Sequence, residues 1–324
     1  MYAIVQDTYG PPSVLRAAEA PAPALAPGRL LIEVRASVVS QGDRRLRAGD
    51  FPGISWLPGR LMMGLTGPRA RVRGTMFAGR VAAVGQGVTG LAVGDDVFGS
   101  VDSGAYAELL VVAAGGPVAK MPVGLTYESA AALPYGAVTA LRFLRDLGGL
   151  RPGQRVCVLG ATGGVGVAAV QIARHLGAEV TAVCSARHHD LARELGATHV
   201  MDYASQDFRQ GGPYDLIFDT VGATRFGACR AALTPTGRYL SLILTANLLL
   251  WTLLSRRVGG RRAIGGVAMG RQQDLIDLGA LVSAGALRPV VHQVYPLAQV
   301  ADAHARVEAG GVPGVVALTV GQAA

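Results

Sequence analysis

Lysine is nearly missing from this chain: Lys120 is the only one, so arginine supplies almost all of the 30 basic residues behind a formal net charge of +8. The arginines are mostly scattered, with small clusters at Arg44–Arg47, Arg69–Arg73 and Arg256–Arg262. No helix-turn-helix, zinc-finger or aromatic RNA-binding motif accompanies them, so nucleic acid is not expected as a partner and the charge reads as a solvated, arginine-biased surface. Cysteine is scarce too: Cys157, Cys184 and Cys229 show no C-x-x-C spacing. That excludes a disulfide framework and a thiolate zinc knuckle, and it fits a reducing cytoplasm. Long apolar runs are lacking: the best candidate, Leu240 to Leu254, contains Asn247 and is too short for a bilayer. The opening "MYAIVQDTYG" has no basic stretch leading into an apolar one, so neither a signal peptide nor a membrane span is expected, and the location expected is cytoplasmic.

What is present is a chain of 324 residues, 50% hydrophobic, long enough for two ordinary domains with substantial cores. Up to about residue 120 it reads as short strands broken by Gly and Pro: "LLIEVRASVVS", "FAGRVAAVG", "AVGDDVFGSV" and "GAYAELLVV". This spacing predicts a mostly antiparallel barrel or sandwich. "YESAAALPYGAVTALRFLRDLG" then carries two helical runs split near Pro134. From Arg155 strands and helices alternate regularly, the pattern of a doubly wound parallel sheet. "RVCVLG", "EVTAVC", "HVMDY", "YDLIFDTVG" and "GRYLSLI" are its strands. After about residue 285 short strands return around one helix, and this tail is expected to fold back onto the first domain. The fold class expected is α/β, with one mostly β domain and one Rossmann domain.

"VLGATGGVGVAAVQIAR" joins the first of those strands to its helix. In the dinucleotide fingerprint G-x-G-x-x-G the first glycine makes the turn, the second admits the pyrophosphate and the third lets helix and strand pack closely. Ala161, Thr162, Gly163, Gly164, Val165 and Gly166 fill that frame, with alanine in the first place. A plain strand–helix turn is the alternative; the preceding strand, the following helix and a second strand about twenty residues on favour the coenzyme. At the end of that second strand an NAD site has Asp or Glu for the ribose 2′-hydroxyl. Here "AVCSARHHD" offers Ser185, Arg187 and His188 before any carboxylate. A hydroxyl and a guanidinium suit a phosphate, so NADPH is the coenzyme expected, the alternative being that Arg187 is merely a solvated helix residue.

Together these stretches resemble the medium-chain dehydrogenase/reductase superfamily, and within it the zinc-free quinone oxidoreductase branch. "VSQGDRRLRAGDFPG" is similar to that branch's N-P-x-D segment, "GTMFAGRVAAVG" to its G-x-D/E-F-A-G-x-V-x-x-V-G, and "GAYAELLVV" to its G-(S/A)-Y-A-E-(Y/L). "GATGGVGVAAVQIAR", "YDLIFDTVG" and "LVSAGALRPVVHQVYPLAQVADAHARVEAGG" follow the branch closely. The resemblance implies a GroES-like catalytic domain over residues 1–121, a Rossmann NADPH domain over 122–286, and a return to the catalytic domain over 287–324. It also implies a cleft between them and a homodimer. Thr139 is implied near the nicotinamide, Tyr203 at the 2′-phosphate, and Val221 and Ser241 at strand ends beside the coenzyme.

The departures from the superfamily carry the chemistry. Zinc enzymes of the superfamily have Cys in the first catalytic loop and His-Glu in G-H-E; residues 38–43 hold no cysteine, and Thr75 and Met76 stand where His and Glu would be. With the structural zinc lobe also missing, no metal is expected, His292 and His304 reading as structural or surface residues. Without that Lewis acid, an activated acceptor is the easier substrate: a quinone, or the C=C of an α,β-unsaturated carbonyl. The candidate catalytic residues are Ser40 (where the branch usually has Asn) as a hydrogen-bond donor, Asp43 as base or loop anchor, and Tyr135 as a hydroxyl source. Phe51 occupies the place of a proton-donating tyrosine in enoyl-thioester reductases, which counts against that activity. Phe51, Trp56 and Leu57 are expected to line the substrate; "MMGL" at Met62 to Leu65 and the run Leu244 to Leu254 are apolar insertions that either line a pocket for a bulky apolar acceptor, face a dimer partner or form core. Val315 replaces a frequent Lys. The function expected is zinc-independent, NADPH-dependent reduction of such an acceptor; the alternative is an NADPH-binding protein of the same fold with little catalysis.

Overall fold

In the strand β3 (Arg29–Val39) every second residue from Leu30 to Ala36 is buried, the period of a sheet with one face on a core. The computed structural model describes residues 1–51, 53–258, 260–268 and 270–321; the side chains of Arg256 and Arg257, in the third arginine cluster, lie outside the described residues. Before β3 come β1 (Tyr2–Val5) and β2 (Arg16–Glu19), an antiparallel pair. After it come β4 (Met76–Val84), β5 (Asp96–Ser100), β6 (Leu109–Ala113) and β7 (Val118–Lys120).

Next along the chain are β8 (Arg155–Leu159), β9 (Glu179–Cys184), β10 (His199–Asp202), β11 (Tyr214–Asp219), β12 (Leu233–Ser241) and β13 (Arg262–Gly265). These six form one sheet in the order β10-β9-β8-β11-β12-β13, every neighbouring pair parallel. Past their first residues β8 and β9 are buried throughout, and so is β11 from Leu216 on, as strands covered on both faces must be. Phe143, from the helical segment before β8, stacks on Phe218 of β11 with ring centroids 5.3 Å apart. Counted within the sheet, the order is 3-2-1-4-5-6, that of a dinucleotide-binding fold.

The chain closes with β14 (Val291–Pro296) and β15 (Val315–Thr319), and β15 lies between β14 and β3. The closing segment thus completes the sheet β14-β15-β3-β4-β5-β7, with β6 paired to β3, around a core that includes Ile32, Phe77, Val97, Tyr106 and Leu318. The class is α/β, with a mostly antiparallel GroES-like sheet and a parallel Rossmann-like one. By contact the chain divides into Met1–Phe51, Leu57–Val138 and Gly270–Ala324 as one unit, and Pro52–Trp56 and Thr139–Met269 as the other. The resemblance implied that 122–138 and 270–286 belong to the Rossmann domain. They group instead with the first unit, because helix Tyr127–Ala131 packs on β3, β4 and β5 and helix Gln272–Ser283 packs on β7.

A buried polar knot ties the first unit's closing helix, Val300–Glu308, to the rest of its core. Arg47, only 1% exposed, pairs with Glu308 and donates to the Gly10 carbonyl at 2.9 Å. His304 Nε2 lies 3.3 Å from the Tyr106 hydroxyl, which donates to the Val38 carbonyl at 3.0 Å. Burial, reinforced by the charges of Arg47 and Arg73, pushes the His304 imidazole down to about 3. His304 is therefore neutral in the folded protein, while in the unfolded chain it takes up a proton below its ordinary 6.5. Its contribution to stability is present above that pH and lost as the pH falls from 6.5 toward 3, by at most about 1.4 kcal/mol per unit. Urea unfolding at a series of pH values is expected to show a slope about one proton shallower over that interval in His304→Gln than in the wild type; equal slopes would show that His304 does not titrate on unfolding.

Candidate active site

The order of the parallel sheet reverses between β8 and β11, where open α/β sheets take ligands beyond the carboxyl ends of the strands. Beyond β8 the chain turns at Gly160, with φ +74°, and a Cβ there would come within 2.5 Å of Val221 and 2.8 Å of the Thr220 hydroxyl. At Gly166 a Cβ would lie 2.1 Å from the Gly160 carbonyl oxygen, so helix Gly166–His175 can approach β8 only with glycine at this point. Gly163 differs: a Cβ there meets only the Gly160 oxygen, at 3.4 Å. The protein's own packing does not require that glycine, so the space over it fits a pyrophosphate lying close to the backbone. No side chain caps helix Gly166–His175 and its first turn has no acidic residue, which leaves the positive end of its dipole at the turn.

Asp219, at the end of β11, shapes the facing loop. Fully buried, its carboxylate accepts backbone N–H bonds from Val221, Gly222, Ala223 and Thr224 at 2.7–3.2 Å and the Tyr239 hydroxyl at 3.0 Å. The Thr220 hydroxyl donates to the Leu159 carbonyl at 2.8 Å and locks this loop to β8. Ser241, paired in register with Asp219, is buried and accepts the Ile243 N–H at 3.2 Å.

The end of β9 carries the expected phosphate candidates. Asp202 sits beside Cys184 in the register of β10 on β9, and the Tyr203 N–H reaches the Cys184 carbonyl at 3.4 Å. Tyr203 thereby comes alongside Ser185, which opens the helical turn holding Arg187 and His188. Arg187 and Tyr203 are exposed, and the next carboxylate, Asp190, is paired with Arg193 at 2.8 Å. The Thr162 hydroxyl bonds Cys184, whose thiol is pushed up by burial.

In the first unit, Ser40 caps helix Gln41–Ala48, and Asp43 closes the capping box. Asp43 Oδ2 accepts the Ser40 N–H at 3.0 Å and its hydroxyl at 2.6 Å, while Oδ1 accepts the Thr75 hydroxyl at 2.8 Å. Burial raises the Asp43 carboxyl against these bonds and the nearby Arg73 charge. Ser40 Oγ also accepts the Asp43 N–H at 3.1 Å, so its single proton is committed to Asp43. A substrate oxygen at Ser40 would meet a lone pair, against the expectation that Ser40 donates. The Tyr135 ring lies against Gly42, where a Cβ would be 3.3 Å from its edge and 3.2 Å from Ser40 Oγ. The Gly42 N–H bonds the Tyr135 hydroxyl, whose ionisation is pushed up by burial and by the charge of Asp43.

A family model described as an alcohol dehydrogenase GroES-like domain matches residues 26–123, and one described as zinc-binding dehydrogenase matches residues 195–318. The human mitochondrial NAD(P)H oxidoreductase RTN4IP1 is 31% identical over 99% of this chain and 89% of its own length. The chain belongs to the medium-chain dehydrogenase/reductase superfamily, in its quinone oxidoreductase-like branch. The pikromycin polyketide synthase component PikAII of Streptomyces venezuelae is 36% identical over 69% of this chain, which spans 6% of that synthase. The quinone oxidoreductase of Coxiella burnetii, 28% identical over 99% of each chain, superposes with a TM-score of 0.86. The protein is thus an oxidoreductase whose fold binds a nicotinamide coenzyme. Among its described residues no group of three His, Cys, Asp or Glu could hold a metal ion, and no helix is long and apolar enough to cross a membrane.

The structure gathers Ala161, Thr162, Gly163, Gly164, Val165, Gly166, Val221 and Ser241 at the sheet's switch point, and Ser185, Arg187, His188 and Tyr203 at the neighbouring strand edge. Ser40, Asp43 and Tyr135 gather in the first unit, and Thr139 follows Tyr135 by one turn of helix Leu133–Leu141. Phe51 packs its ring on Gly59, whereas Trp56 and Leu57 are each 54% exposed on helix Trp56–Met63, a more open setting than the expected substrate lining. The second apolar insertion resolves into helix Ala246–Val258, whose Leu248 and Trp251 join the core while Leu250 and Leu253 face solvent. Sequence reasoning missed Gly160, which takes the turn-making place just before the frame, and Asp219, visible only as the acid opening "DTVG". It also missed Thr75 as a partner of Asp43.

The two glycines separate fold from coenzyme. Gly163→Ala is expected to keep stability within about 0.5 kcal/mol while weakening coenzyme binding at least about tenfold by calorimetry. Gly166→Ala should lower thermal stability outright, because backbone must move; a Gly163→Ala protein with unchanged affinity would remove the pyrophosphate from this turn.

Proposed function

We propose that this protein is a metal-independent, NADPH-dependent reductase of quinones or of the activated C=C bond of α,β-unsaturated carbonyls. The observation that supports the coenzyme reading is the end of β9, followed by Ser185 and Arg187 with no carboxylate before Asp190, while Tyr203 follows the adjacent β10 and Asp202 accepts bonds from its own loop. A guanidinium with two hydroxyls suits a 2′-phosphate, and the absent acid removes the usual partner of a ribose 2′-hydroxyl. When bound, the coenzyme supplies hydride to an electrophilic carbon of the acceptor. The chain's part is to hold it: the turn 160–166 takes the pyrophosphate and Asp219 keeps the facing loop in place.

The acceptor class follows from the residues of the first unit. Ser40, Thr75 and Met76 are not a metal-ligand set, so polarisation of a simple alcohol or carbonyl by a metal has no support at these positions. An activated acceptor needs only a hydrogen-bond donor for developing oxygen charge and a proton source. With the Ser40 proton committed to Asp43, Tyr135 is the donor we assign; the Gly42 N–H on its oxygen stabilises the phenolate left after proton transfer. The commitment of Ser40 also favours the second reading, a coenzyme-binding protein of little catalysis.

NADPH consumption with a panel of small quinones and enones tests both. Turnover is expected on at least one class, and Tyr135→Phe should lower kcat about a hundredfold with coenzyme affinity unchanged. Tight NADPH binding without turnover on any acceptor would establish the second reading. Arg187→Ala is expected to raise KM for NADPH roughly ten- to a hundredfold and that for NADH less than about twofold; equal effects on the two would sink the phosphate-clamp assignment.

A further inference from the structure

Within the parallel-sheet unit a cavity of about 190 Å³ opens at the amino ends of the strands, lined by Arg151, Gln154, Asp215, Thr236 and Arg238 among others. Register places it: Arg238 pairs with Leu216, which pairs with Val156, so the cavity lies at the strand starts. Arg238 precedes Ser241, at the carboxyl end of β12, by three residues, or ~10 Å of strand. The coenzyme turn is beyond the opposite ends, where the fold normally takes its ligand, so that turn does not account for this cavity.

Its lining is built for an anion. Two guanidiniums, of Arg151 and Arg238, stand against one carboxylate, Asp215. That carboxylate is spent on other donors: Oδ2 accepts the Arg155 N–H at 2.9 Å and Oδ1 the Thr234 hydroxyl at 3.3 Å. Among the described residues neither Arg151 nor Arg238 forms an ion pair. Arg238 is fixed in place, since its Nη1 donates to the Gly148 carbonyl. Gly149, at φ +55°, leaves the room for it: a Cβ there would fall 2.6 Å from that same nitrogen. The remaining guanidinium N–H groups, the Thr236 hydroxyl and the Gln154 amide, whose oxygen already accepts the Arg151 N–H at 2.9 Å, complete a set of donors.

We propose that this cavity binds a phosphate-type oxyanion, free or as the phosphomonoester of a small molecule. The charge excludes a cation, and neither the volume nor the lining, which has no aromatic ring, suits a nucleotide base. Two arginines approaching from different chain segments match a tetrahedral oxyanion through several N–H bonds at once.

Calorimetric titration of the full chain with inorganic phosphate, and separately with glycerol phosphate, tests this at constant ionic strength. One saturable event is expected that survives in Arg187→Ala and weakens at least about tenfold in Arg151→Ala and in Thr236→Val, while Arg69→Ala, an exposed arginine elsewhere, leaves it unchanged. Tighter binding of glycerol phosphate than of phosphate would mark a phosphomonoester as the ligand, and the reverse order the free ion. The proposal is overturned if no saturable binding occurs, if binding vanishes only in Arg187→Ala, or if Arg69→Ala weakens it as much as Arg151→Ala does. Arg151 is exposed and in no ion pair, so its variant folds; coenzyme binding and turnover in it are expected to be unchanged, which separates this site from the proposed reaction.

Discussion

The approach of one backbone to another at Gly166 governs the parallel-sheet half of this protein. With a Cβ only 2.1 Å from the Gly160 carbonyl oxygen, no other residue lets helix Gly166–His175 begin where it does. Because it begins there, the helix dipole points at the turn, the turn presents Gly163 to whatever lies above it, and β8 stays in register with β9 and β11. The same constraint explains why the helix is apolar almost all round: held this close to the sheet, Gly166 through Ala173 are all buried.

Around that contact, polar groups are used for shape. Asp219 spends its carboxylate on four backbone N–H groups and a tyrosine hydroxyl, a buried charge offset by enough donors to make a loop rigid. Asp43 does the same in the other unit, with Ser40 and Thr75 as partners. In both cases an acidic residue that invites a catalytic reading serves first to fix the backbone. The difference lies in what surrounds them, since the Tyr135 hydroxyl, bonded by the Gly42 N–H, lies within the field of the Asp43 carboxylate.

Much of the fold was legible in the chain. Period-two burial in β3, unbroken apolar strands from Arg155 onward and regular strand–helix alternation each follow from how a sheet is covered, a local property of sequence. The glycine frame and Ser185 with Arg187 were legible from spacing along successive strand–turn–helix units, whereas Tyr203 was implied only by the family resemblance. The helices at 127–131 and 272–283 were not placed, because which sheet an apolar helical face covers depends on residues far away. Gly160 was misjudged because a positive φ and a collision with Val221 and Thr220 belong to the folded backbone.

By itself, then, the sequence determined most of the secondary structure, the glycine frame between β8 and its helix, and the presence of Ser185 and Arg187 just after β9. Tertiary structure decided the rest. It added the Thr75 hydroxyl, from 32 positions away, to the Asp43 carboxylate that the local capping box already binds to Ser40. It brought Tyr135 against Gly42, left Trp56 and Leu57 in the open, and set Arg151 beside Arg238 at the amino ends of the strands. Spacing along a chain fixes which groups a single element presents, but the partner of a proton or a charge is chosen by elements that meet only when the chain has folded.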